Sequence, residues 1–250
     1  MQTIMLAAGV GARLSNSDET YLPKCLLPFD GQSLLARHID ILRANGITKL
    51  TLVTGYREAE VKAELISLGA GDYVETVTNP QFRDGSIVSL GSASQTMRSG
   101  DDILFMDADV LCHPDLIQKL ITSVADNAIN YDTDFEPGDD PVKLCLKDGR
   151  IVDFSKKIDA EFDTIGEWPG FVKWSPAAAR HIADFIDHKI NQGSIDLIYE
   201  EAFRDYMLSP KVAQIDCLDI TGLPWIEIDF PEDLERAHDE ILPALKSYTR

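Results

Sequence analysis

The chain is poor in basic residues and contains no long apolar run. Its 250 residues include 23 Lys and Arg against 42 Asp and Glu, which gives a formal net charge of −19. Nucleic acids and anionic membranes bind through basic patches, so this imbalance argues against both as partners. No stretch approaches the roughly 20 apolar residues that cross a bilayer, and no basic flank marks a secretory signal. We therefore expect a cytoplasmic protein that does not insert into membranes.

Several cofactor and catalytic motifs are missing as well. The four cysteines form no CxxC pair, which argues against a zinc site or a redox motif and in favour of reduced thiols. Leu14 stands where the third glycine of the dinucleotide fingerprint would fall, so NAD is disfavoured. No GxxxxGKS or GxxxxGKT loop, no HExxH and no Ser-His-Asp order occurs, which leaves a hydrolase with little support.

Short apolar segments alternate with amphipathic ones through the first half of the chain. The spacing predicts strands at 3–7, 50–54, 73–77 and 103–106, and helices at 33–45, 58–68 and 86–97. Strands separated by helices imply right-handed crossovers and a parallel sheet covered on both faces. The expected fold class is therefore α/β, with a doubly wound and mainly parallel sheet.

The second half departs from this alternation. Two apolar segments, 142–146 and 150–154, flank Asp148-Gly149, which is a strong hairpin signal. Further strands are predicted at 171–174, 212–217 and 225–228, and helices at 115–124, 176–190, 195–207 and 231–242. We expect this half to add a β-hairpin and a helical insertion to a single domain that spans residues 1–250.

Glycines and two cations follow the first predicted strand. Gly9 and Gly11 allow the backbone to fold closely around phosphate groups, which bulky side chains would prevent. Arg13 and Lys24 would supply the positive charge that such a loop needs. We interpret this stretch as a nucleoside-triphosphate loop. The expected nucleotide contacts are Leu6, Ala7, Ala8, Gly9 and Gly11, and the expected catalytic cations are Arg13 and Lys24.

Acidic residues follow two of the predicted strands. Asp107 and Asp109 come directly after the fourth strand, at the carboxyl edge of the sheet, where open α/β folds bind ligands. Hard divalent cations take oxygen ligands, so this pair predicts a metal site, and the sequence leaves open which of the two is the principal ligand. Glu227 and Asp229 lie at the end of a late strand, with their side chains on one side at strand spacing.

The first strand and its loop strongly resemble the nucleotidyltransferase superfamily. The resemblance lies in Ala7-Ala8-Gly9-x-Gly11-x-Arg13, followed by Pro23-Lys24. Members of this superfamily activate phosphorylated sugars and alcohols with nucleoside triphosphates. The resemblance implies a Rossmann-like nucleotidyltransferase fold and Mg²⁺ as the cofactor. It also implies that Asp229 joins Asp107 and Asp109 on the metal. About residues 1–112 would form the nucleotide-binding half, and about 113–250 the acceptor-binding half.

A serine-bearing helix start is expected to contact the nucleobase. Ser86 and Ser89 open the helix predicted at 86–97, and free N–H groups at a helix start suit an anion or a base edge. The superfamily uses such a segment for the base. The resemblance therefore makes Ser86 the first candidate for this contact and Ser89 the second.

The second half resembles the branch that contains phosphocholine and 2-aminoethylphosphonate cytidylyltransferases. The shared order is a lysine after a hairpin, a Gly-Glu beside an aromatic residue, a Tyr-Glu pair and a final Trp-x-Glu-x-Asp. This implies CTP, or another nucleoside triphosphate, and a small phosphorylated or phosphonate acceptor. Lys156 would be a catalytic cation that holds the acceptor's phosphoryl group, a role that Lys143 could share. The expected acceptor contacts are Lys143, Glu167, Trp168, Tyr199, Glu200, Trp225 and Glu227.

The sequence does not decide which chemical group the acceptor carries at the end away from its phosphate or phosphonate. A trimethylammonium group would call for an aromatic cage, with Trp168, Tyr199 and Trp225 as candidates. A primary amine would instead be satisfied by carboxylates such as Glu167 and Glu200. A polyol or sugar phosphate would call for Asn, Gln and backbone groups.

These observations predict a Mg²⁺-dependent cytidylyltransferase. It would join CTP to a small phosphorylated alcohol or phosphonate, of the phosphocholine or 2-aminoethylphosphonate type, and release pyrophosphate. The alternatives are a sugar- or inositol-1-phosphate nucleotidyltransferase, a glycosyltransferase with a DxD metal site, and a non-catalytic nucleotide-binding module. Pro23-Lys24 and the arginine loop argue against a glycosyltransferase, and the intact acidic and basic set argues against a non-catalytic module. The oligomeric state is left open.

Overall fold

The computed structural model describes residues 1–15, 20–136, 138–210 and 212–248 as a mixed α/β structure. The strands are β1 (Gln2–Ala7), β2 (Pro28–Phe29), β3 (Gln32–Ser33), β4 (Leu50–Thr54), β5 (Val74–Thr78), β6 (Ile103–Asp107), β7 (Val110–Cys112), β8 (Asn127–Tyr131), β9 (Lys143–Lys147), β10 (Arg150–Ser155), β11 (Thr164–Glu167), β12 (Phe171–Trp174), β13 (Ile215–Asp219) and β14 (Trp225–Glu227). The helices are α1 (Leu34–Ala44), α2 (Glu58–Ser67), α3 (Ser86–Ser92), α4 (Ser94–Met97), α5 (Pro114–Thr122), α6 (Pro176–Asn191), α7 (Glu200–Met207), α8 (Pro231–Arg236) and α9 (Leu242–Ser247). Within these ranges no helix combines the length and apolar character that crossing a bilayer requires.

A seven-stranded sheet, in the order β13-β8-β12-β6-β1-β4-β5, forms the centre of the molecule. β1 lies between β4 and β6 and runs parallel to both, and β4 is parallel to β5. β12 runs antiparallel to both of its neighbours, β6 and β8, whereas β13 is parallel to β8. The predicted α/β fold with a mainly parallel central sheet is therefore confirmed, and smaller hairpin sheets accompany it.

Alternate side chains of β1 enter two hydrophobic cores, one on each face of the sheet. Ile4 packs in a core that also contains Ile182 of α6 and Phe203 of α7. Met5 packs in a second core, together with Leu35 of α1 and other residues of α1 and α5. Successive strand residues point to opposite faces, so a strand covered by helices on both sides must be apolar throughout. This explains the continuous apolar segments in the sequence.

Strand ends bring the acidic residues of the two halves together. β6 ends at Asp107, which pairs with Leu6 near the end of β1. The chain then bends at Asp109 and continues as β7, which pairs antiparallel with β14 so that Val110 lies opposite Glu227. The Ile228 N–H donates a hydrogen bond of 3.0 Å to the Asp109 carbonyl oxygen. The small β7–β14 sheet therefore holds the late acidic strand against the end of β6.

The helix predicted at 195–207 begins only at Glu200. The carbonyl oxygens of Ile195 and Leu197 accept hydrogen bonds of 2.7 Å and 3.1 Å from the N–H groups of Gly85 and Ile87. These long-range bonds hold the segment beside the start of α3 and delay the helix. The helix predicted at 86–97 is likewise divided, into α3 and α4, and the one predicted at 231–242 passes into a π-helical turn after α8.

The sequence pattern does not predict β8, because two of its five residues are asparagines. Both are fully buried and use their amides for long-range hydrogen bonds. Asn127 Oδ1 accepts from the Ser175 N–H at 2.9 Å, and Asn130 Nδ2 donates to the Leu116 carbonyl oxygen at 2.9 Å. A buried polar side chain is tolerated in a strand when such partners exist, and periodicity alone cannot reveal them.

Replacement of Gly170 by alanine should destabilise the fold more than the same change at Gly222. Both glycines have positive φ, +85° and +88°, so each alanine carries a backbone strain of about 1–2 kcal/mol. At Gly170 the added Cβ would also come within 2.9 Å of Asp107 Oδ2, whereas at Gly222 nothing lies within 4 Å. We expect an additional loss of about 1–3 kcal/mol in the free energy of unfolding for Gly170→Ala, measured by urea denaturation. Equal losses in the two variants would contradict this account.

Candidate active site

A cleft of about 330 Å³ lies at the carboxyl edge of the central parallel strands. Most of the predicted site residues line it, and they come from both halves of the chain. They are Leu6, Ala8, Gly9, Arg13, Lys24, Ser86, Ser89, Asp107, Asp109, Lys156, Trp168, Tyr199, Glu200, Glu227 and Asp229. Ala7 and Gly11 line an adjoining recess of about 80 Å³, next to Lys24 and Asp109.

Three carboxylates meet around one lysine in this cleft. Asp109 lies in the bend after β6, and Glu227 and Asp229 lie at and just beyond the end of β14. One carboxylate oxygen from each residue lies within 4.8 Å of the others. Lys24 Nζ is 3.0 Å from Asp109 Oδ2 and 2.5 Å from Asp229 Oδ1. Three carboxylate oxygens so close together form a donor set that fits a hard divalent cation such as Mg²⁺.

The electrostatics of this cluster favour positive charge. Burial alone would lower the pKa of the Lys24 ammonium, but Asp109 and then Asp229 raise it more, and the net pKa lies above its ordinary value. Burial, followed by the charge of Asp109, raises the pKa of Glu227 well above its ordinary value. Arg13 Nη2 adds a contact of 2.8 Å to Asp229 Oδ2. Arg13 and Lys24 thus face Asp109, Glu227 and Asp229, and the crowding of these three acids favours a bound proton or another cation.

Asp107 is not part of this group, which corrects its prediction as a metal ligand. The Tyr199 hydroxyl donates a hydrogen bond to Asp107 Oδ2. The Asp107 N–H donates a hydrogen bond of 3.0 Å to the Gly170 carbonyl oxygen. Burial, followed by the nearby charge of Asp109, raises the pKa of Asp107 well above its ordinary value. Among the described residues Glu227, predicted as an acceptor contact, takes the third place beside Asp109 and Asp229.

Asp140 links two of the predicted catalytic cations. Arg13 Nη1 is 2.6 Å from Asp140 Oδ2, and Lys156 Nζ is 3.3 Å from Asp140 Oδ1. The Arg13 guanidinium also lies over the Phe230 ring, 4.9 Å from its centroid. The sequence interpretation did not single out Asp140, which is one of many acids in a turn-rich segment. Only its place between two cations shows that it belongs to the cleft.

The two predicted nucleobase contacts also support the cleft wall. Ser86 Oγ accepts a hydrogen bond of 3.0 Å from the Tyr199 N–H, and Ser89 Oγ accepts one of 3.0 Å from Asn79 Nδ2. Each hydroxyl keeps a proton that it can donate to a ligand. The first N–H groups of this helix already donate to the carbonyl oxygens of the segment before α7. The expectation of free N–H groups at the helix start is therefore wrong for those groups.

Aromatic rings and a buried carboxyl group form another wall of the cleft. Trp168 and Tyr199 have their ring centroids 6.2 Å apart in an edge-on arrangement. Glu200 follows Tyr199 and lines the same cleft as Lys156. Within the described part of the chain, Glu200 Oε2 is buried and has no hydrogen-bond partner. Burial raises the pKa of Glu200 to about 7.

Three predicted acceptor contacts lie outside the cleft. Trp225 and Glu167 line a second cavity of about 640 Å³, and Trp225 Nε1 donates a hydrogen bond of 2.7 Å to Asp132 Oδ2. Lys143 Nζ donates to three backbone carbonyl oxygens at distances between 2.7 and 3.2 Å. The Trp225 and Lys143 side chains thus stabilise neighbouring backbone and side chains. None of the three lines the cleft beside Lys24, and their role as acceptor contacts stays a prediction.

Phe82 lines the cleft without having been predicted from the sequence. It packs against Gly55, where an added Cβ would come within 2.5 Å of the Phe82 side chain. Gly55 directly follows β4, so a larger residue there would displace this ring. The nearest predicted contact is Ser86, four residues further along the chain, and a helix start does not indicate where the Phe82 side chain points.

Comparison with known proteins identifies the family. The model of the MobA-like NTP transferase domain matches residues 3–153, which is more than half of the chain. The chain belongs to the MobA-like NTP transferase family. Membership in this family confirms the predicted nucleotidyltransferase superfamily and the prediction of an enzyme.

Relatives within the nucleotidyltransferases include several cytidylyltransferases. CTP:phosphoglutamine cytidylyltransferase of Campylobacter jejuni is 24% identical to this chain, with 94% of this chain and 98% of that protein covered. Choline-phosphate cytidylyltransferase of Streptococcus pneumoniae is also 24% identical, with 97% and 98% covered. The bifunctional IPC transferase and DIPP synthase of Thermococcus kodakarensis is 27% identical over 94% of this chain. The chain spans 49% of that longer protein.

Solved structures show the same fold. The inositol-1-phosphate CTP transferase from T. maritima superposes with a TM-score of 0.75 at 21% identity, covering 100% of this chain and 97% of that one. The CTP:phosphocholine cytidylyltransferase of Streptococcus pneumoniae gives a TM-score of 0.72, also at 21% identity, with 95% and 97% covered. At these identities the likeness establishes the fold of the family and leaves the substrates to other observations.

Glu200→Gln should change how the stability of the protein depends on pH. The pKa of Glu200 is raised from 4.5 to about 7 in the folded state, so between these pH values the folded protein binds more protons than the unfolded chain. The wild type therefore loses stability as pH rises through this window, and the glutamine variant lacks that loss. We expect the variant to gain up to about 3 kcal/mol relative to the wild type between about pH 4.5 and pH 7.5.

Urea denaturation of both proteins across this window measures the effect. Glu201→Gln provides the control, because Glu201 is the exposed neighbour of Glu200 on the same helix. The control should keep the wild-type pH dependence. A stability difference between Glu200→Gln and the wild type that stays constant with pH would show that Glu200 does not titrate in this range.

Proposed function

We propose that this enzyme transfers the cytidylyl group of CTP to a small phosphorylated or phosphonate acceptor that carries a positively charged head group. The observation that supports this proposal most is Glu200, whose buried Oε2 has no hydrogen-bond partner among the described residues. Glu200 lines the same cleft as Trp168, Tyr199, Lys156 and Lys24. The choice of CTP is supported by relatives of nearly the same length, whose names include CTP:phosphoglutamine and choline-phosphate cytidylyltransferase.

The proposed reaction is an in-line displacement at the α-phosphorus of the nucleotide. An oxygen of the acceptor's phosphate or phosphonate forms the new P–O bond, and the bond to the bridging oxygen of pyrophosphate breaks. The attacking oxygen is already anionic at neutral pH, so no general base is required. The protein's contribution is positioning and the neutralisation of negative charge. Arg13 and Lys24 would contact the triphosphate, and Lys156 would orient the acceptor's phosphoryl group.

Mg²⁺ is the proposed cofactor, held by Asp109, Glu227 and Asp229. The all-oxygen donor set supports this assignment. When bound, the metal would supply further charge neutralisation at the phosphates. Asp107 would instead hold the Tyr199 hydroxyl, which places the ring of Tyr199 in the cleft wall.

The polarity of the cleft favours a cationic head group over a polyol. Carboxyl groups and aromatic rings attract an amine or a quaternary ammonium group, the former by charge and the latter also through the ring faces. A sugar or inositol phosphate would call for Asn, Gln and backbone groups as hydrogen-bond partners. Among the described residues that line the cleft, none is Asn or Gln. An acceptor of the phosphocholine or 2-aminoethylphosphonate type therefore fits this wall.

Loss of Lys24 should abolish most of the turnover. We expect Lys24→Ala to lower kcat by at least about 10²-fold, because it removes a preorganised cation from the developing charge. The assay is pyrophosphate release with Mg²⁺, each of the four NTPs, and a panel of phosphorylated alcohols, phosphonates and sugar 1-phosphates. Lys49→Ala is the matched control, since Lys49 is half-exposed and pairs with Glu75 away from the cleft. Absence of pyrophosphate release by the wild type in every combination would refute the proposed reaction.

The charge of the head group can be tested with a pair of acceptors of equal shape. Phosphocholine carries a trimethylammonium group, and 3,3-dimethylbutyl phosphate carries a neutral tert-butyl group in its place. We expect the wild type to prefer phosphocholine in kcat/KM, and Glu200→Gln to reduce this preference by about tenfold. Glu201→Gln should leave the preference unchanged. A wild type that uses both acceptors equally, or prefers inositol 1-phosphate, would refute the cationic head group.

A further inference from the structure

His38 is a buried polar residue that the proposed reaction does not use. It lies in the middle of α1 and is 1% exposed. The edge of its ring packs against Phe171, with the two centroids 6.1 Å apart. Burial lowers the pKa of the His38 imidazole to about 4. A neutral imidazole in this place carries one N–H, and its location matters for what the side chain can hold.

The proton of His38 lies on Nε2. This atom is 2.9 Å from the Val110 carbonyl oxygen, and a carbonyl oxygen can only accept a hydrogen bond. Nδ1 is therefore the bare nitrogen, and among the described residues it has no partner. A fully buried histidine that keeps one nitrogen unsatisfied carries a desolvation cost. The hydrogen bond to Val110 is the polar contact that His38 makes in return.

The Val110 carbonyl needs a partner from outside the β7–β14 sheet. Hydrogen bonds join the Ile228 N–H to the Asp109 oxygen at 3.0 Å and the His113 N–H to the Pro224 oxygen at 2.9 Å. In an antiparallel pair such hydrogen-bonded positions alternate with positions that make none to the partner strand. Val110, opposite Glu227, falls on one of the latter. Its carbonyl oxygen therefore points away from β14, and His38 supplies the donor.

The backbone around Asp109 is thus held from two sides. The Asp109 carbonyl oxygen accepts from β14, and the next carbonyl oxygen along the chain accepts from α1. The first bond holds the peptide group between Asp109 and Val110, which adjoins the Asp109 side chain, and the second holds the next peptide group along the chain.

We propose that His38 is a positioning residue for the candidate metal centre: through its hydrogen bond to Val110 it orients the Asp109 carboxylate toward Glu227 and Asp229. The effect on turnover rests on the proposed function, whereas the effect on the backbone does not. Removal of a hydrogen bond made directly to a ligand typically changes metal affinity by about 10–100-fold, and since His38 acts one residue further along the backbone we expect the lower end of that range.

Three substitutions separate positioning from general stability. His38→Phe keeps an aromatic ring and removes the donor, and His38→Gln returns an N–H at the same distance along the side chain. Leu42→Ala is the stability control, because Leu42 is a fully buried residue of the same helix that packs in the core with Leu35 and Leu52. Should His38→Phe fail to fold, His38→Asn takes its place, since its shorter amide cannot reach Val110.

Two measurements follow on each variant. Amide hydrogen exchange at Ile228 reports the bond to Asp109, and it is corrected for each variant's free energy of unfolding. The Mg²⁺ concentration for half-maximal turnover reports the metal centre. We expect His38→Phe to exchange the Ile228 amide about tenfold faster than Leu42→Ala and to require at least about tenfold more Mg²⁺. His38→Gln should recover most of both values.

The two measurements test separately whether His38 holds the backbone and whether it affects the metal centre. Equal corrected exchange at Ile228 in His38→Phe and Leu42→Ala would overturn the positioning role. Faster exchange with an unchanged Mg²⁺ requirement would overturn the link to the metal centre. If the wild type shows no turnover with any substrate, the proposed function fails, and the exchange measurement still decides whether His38 holds the backbone.

Discussion

The pairing of the Lys24 ammonium with Asp109 and Asp229 is the interaction on which the rest of the site depends. It joins the nucleotide loop, the end of β6 and the end of β14, which lie far apart in the sequence. A buried charge without a partner is strongly destabilising, so none of these three segments can move away alone. The hydrogen bonds between β7 and β14 then fix the distance between the two acidic segments. The cleft is therefore built from both halves of the chain at once.

An acidic protein that binds a triphosphate must overcome the electrostatic repulsion between its own negative charge and the phosphates. The net charge of −19 repels a polyanion at long range, and this repulsion is screened beyond roughly 8–10 Å at physiological salt. Within that distance the charges that line the cleft matter most, and they include the cations Arg13, Lys24 and Lys156 beside several acids. Asp140 and Asp229 pair with these cations and keep them from repelling one another.

The sequence predicted the elements and residues whose place follows from local order. The nucleotide loop, the strand ends at Asp107 and Asp109 and the late Glu227-x-Asp229 all follow from strands that stop at one edge of a sheet. It could not decide between Asp107 and Asp109, because the bend after β6 determines which carboxylate turns toward β14. The positions of Trp225 and Lys143 outside the cleft could not be predicted for a related reason. Their partners are tertiary, and residue type alone does not show whether a side chain is already engaged.

The segment before α7 illustrates another limit of sequence patterns, and it has a consequence for how such a protein can diversify. Its carbonyl oxygens bind the start of α3, and an added Cβ on Gly85 would come within 2.2 Å of the Leu197 carbonyl oxygen. Ser86 also holds the Tyr199 N–H. The start of α3, expected to contact the base, and the segment before α7, on the acceptor side, are thus joined by hydrogen bonds. Exchanging the segment before α7 alone would not transfer a new acceptor preference, because the start of α3 would no longer fit against it. Mutations that change the acceptor should therefore occur together in both segments. Relatives with different acceptors should differ at the start of α3 as well as in the segment before α7.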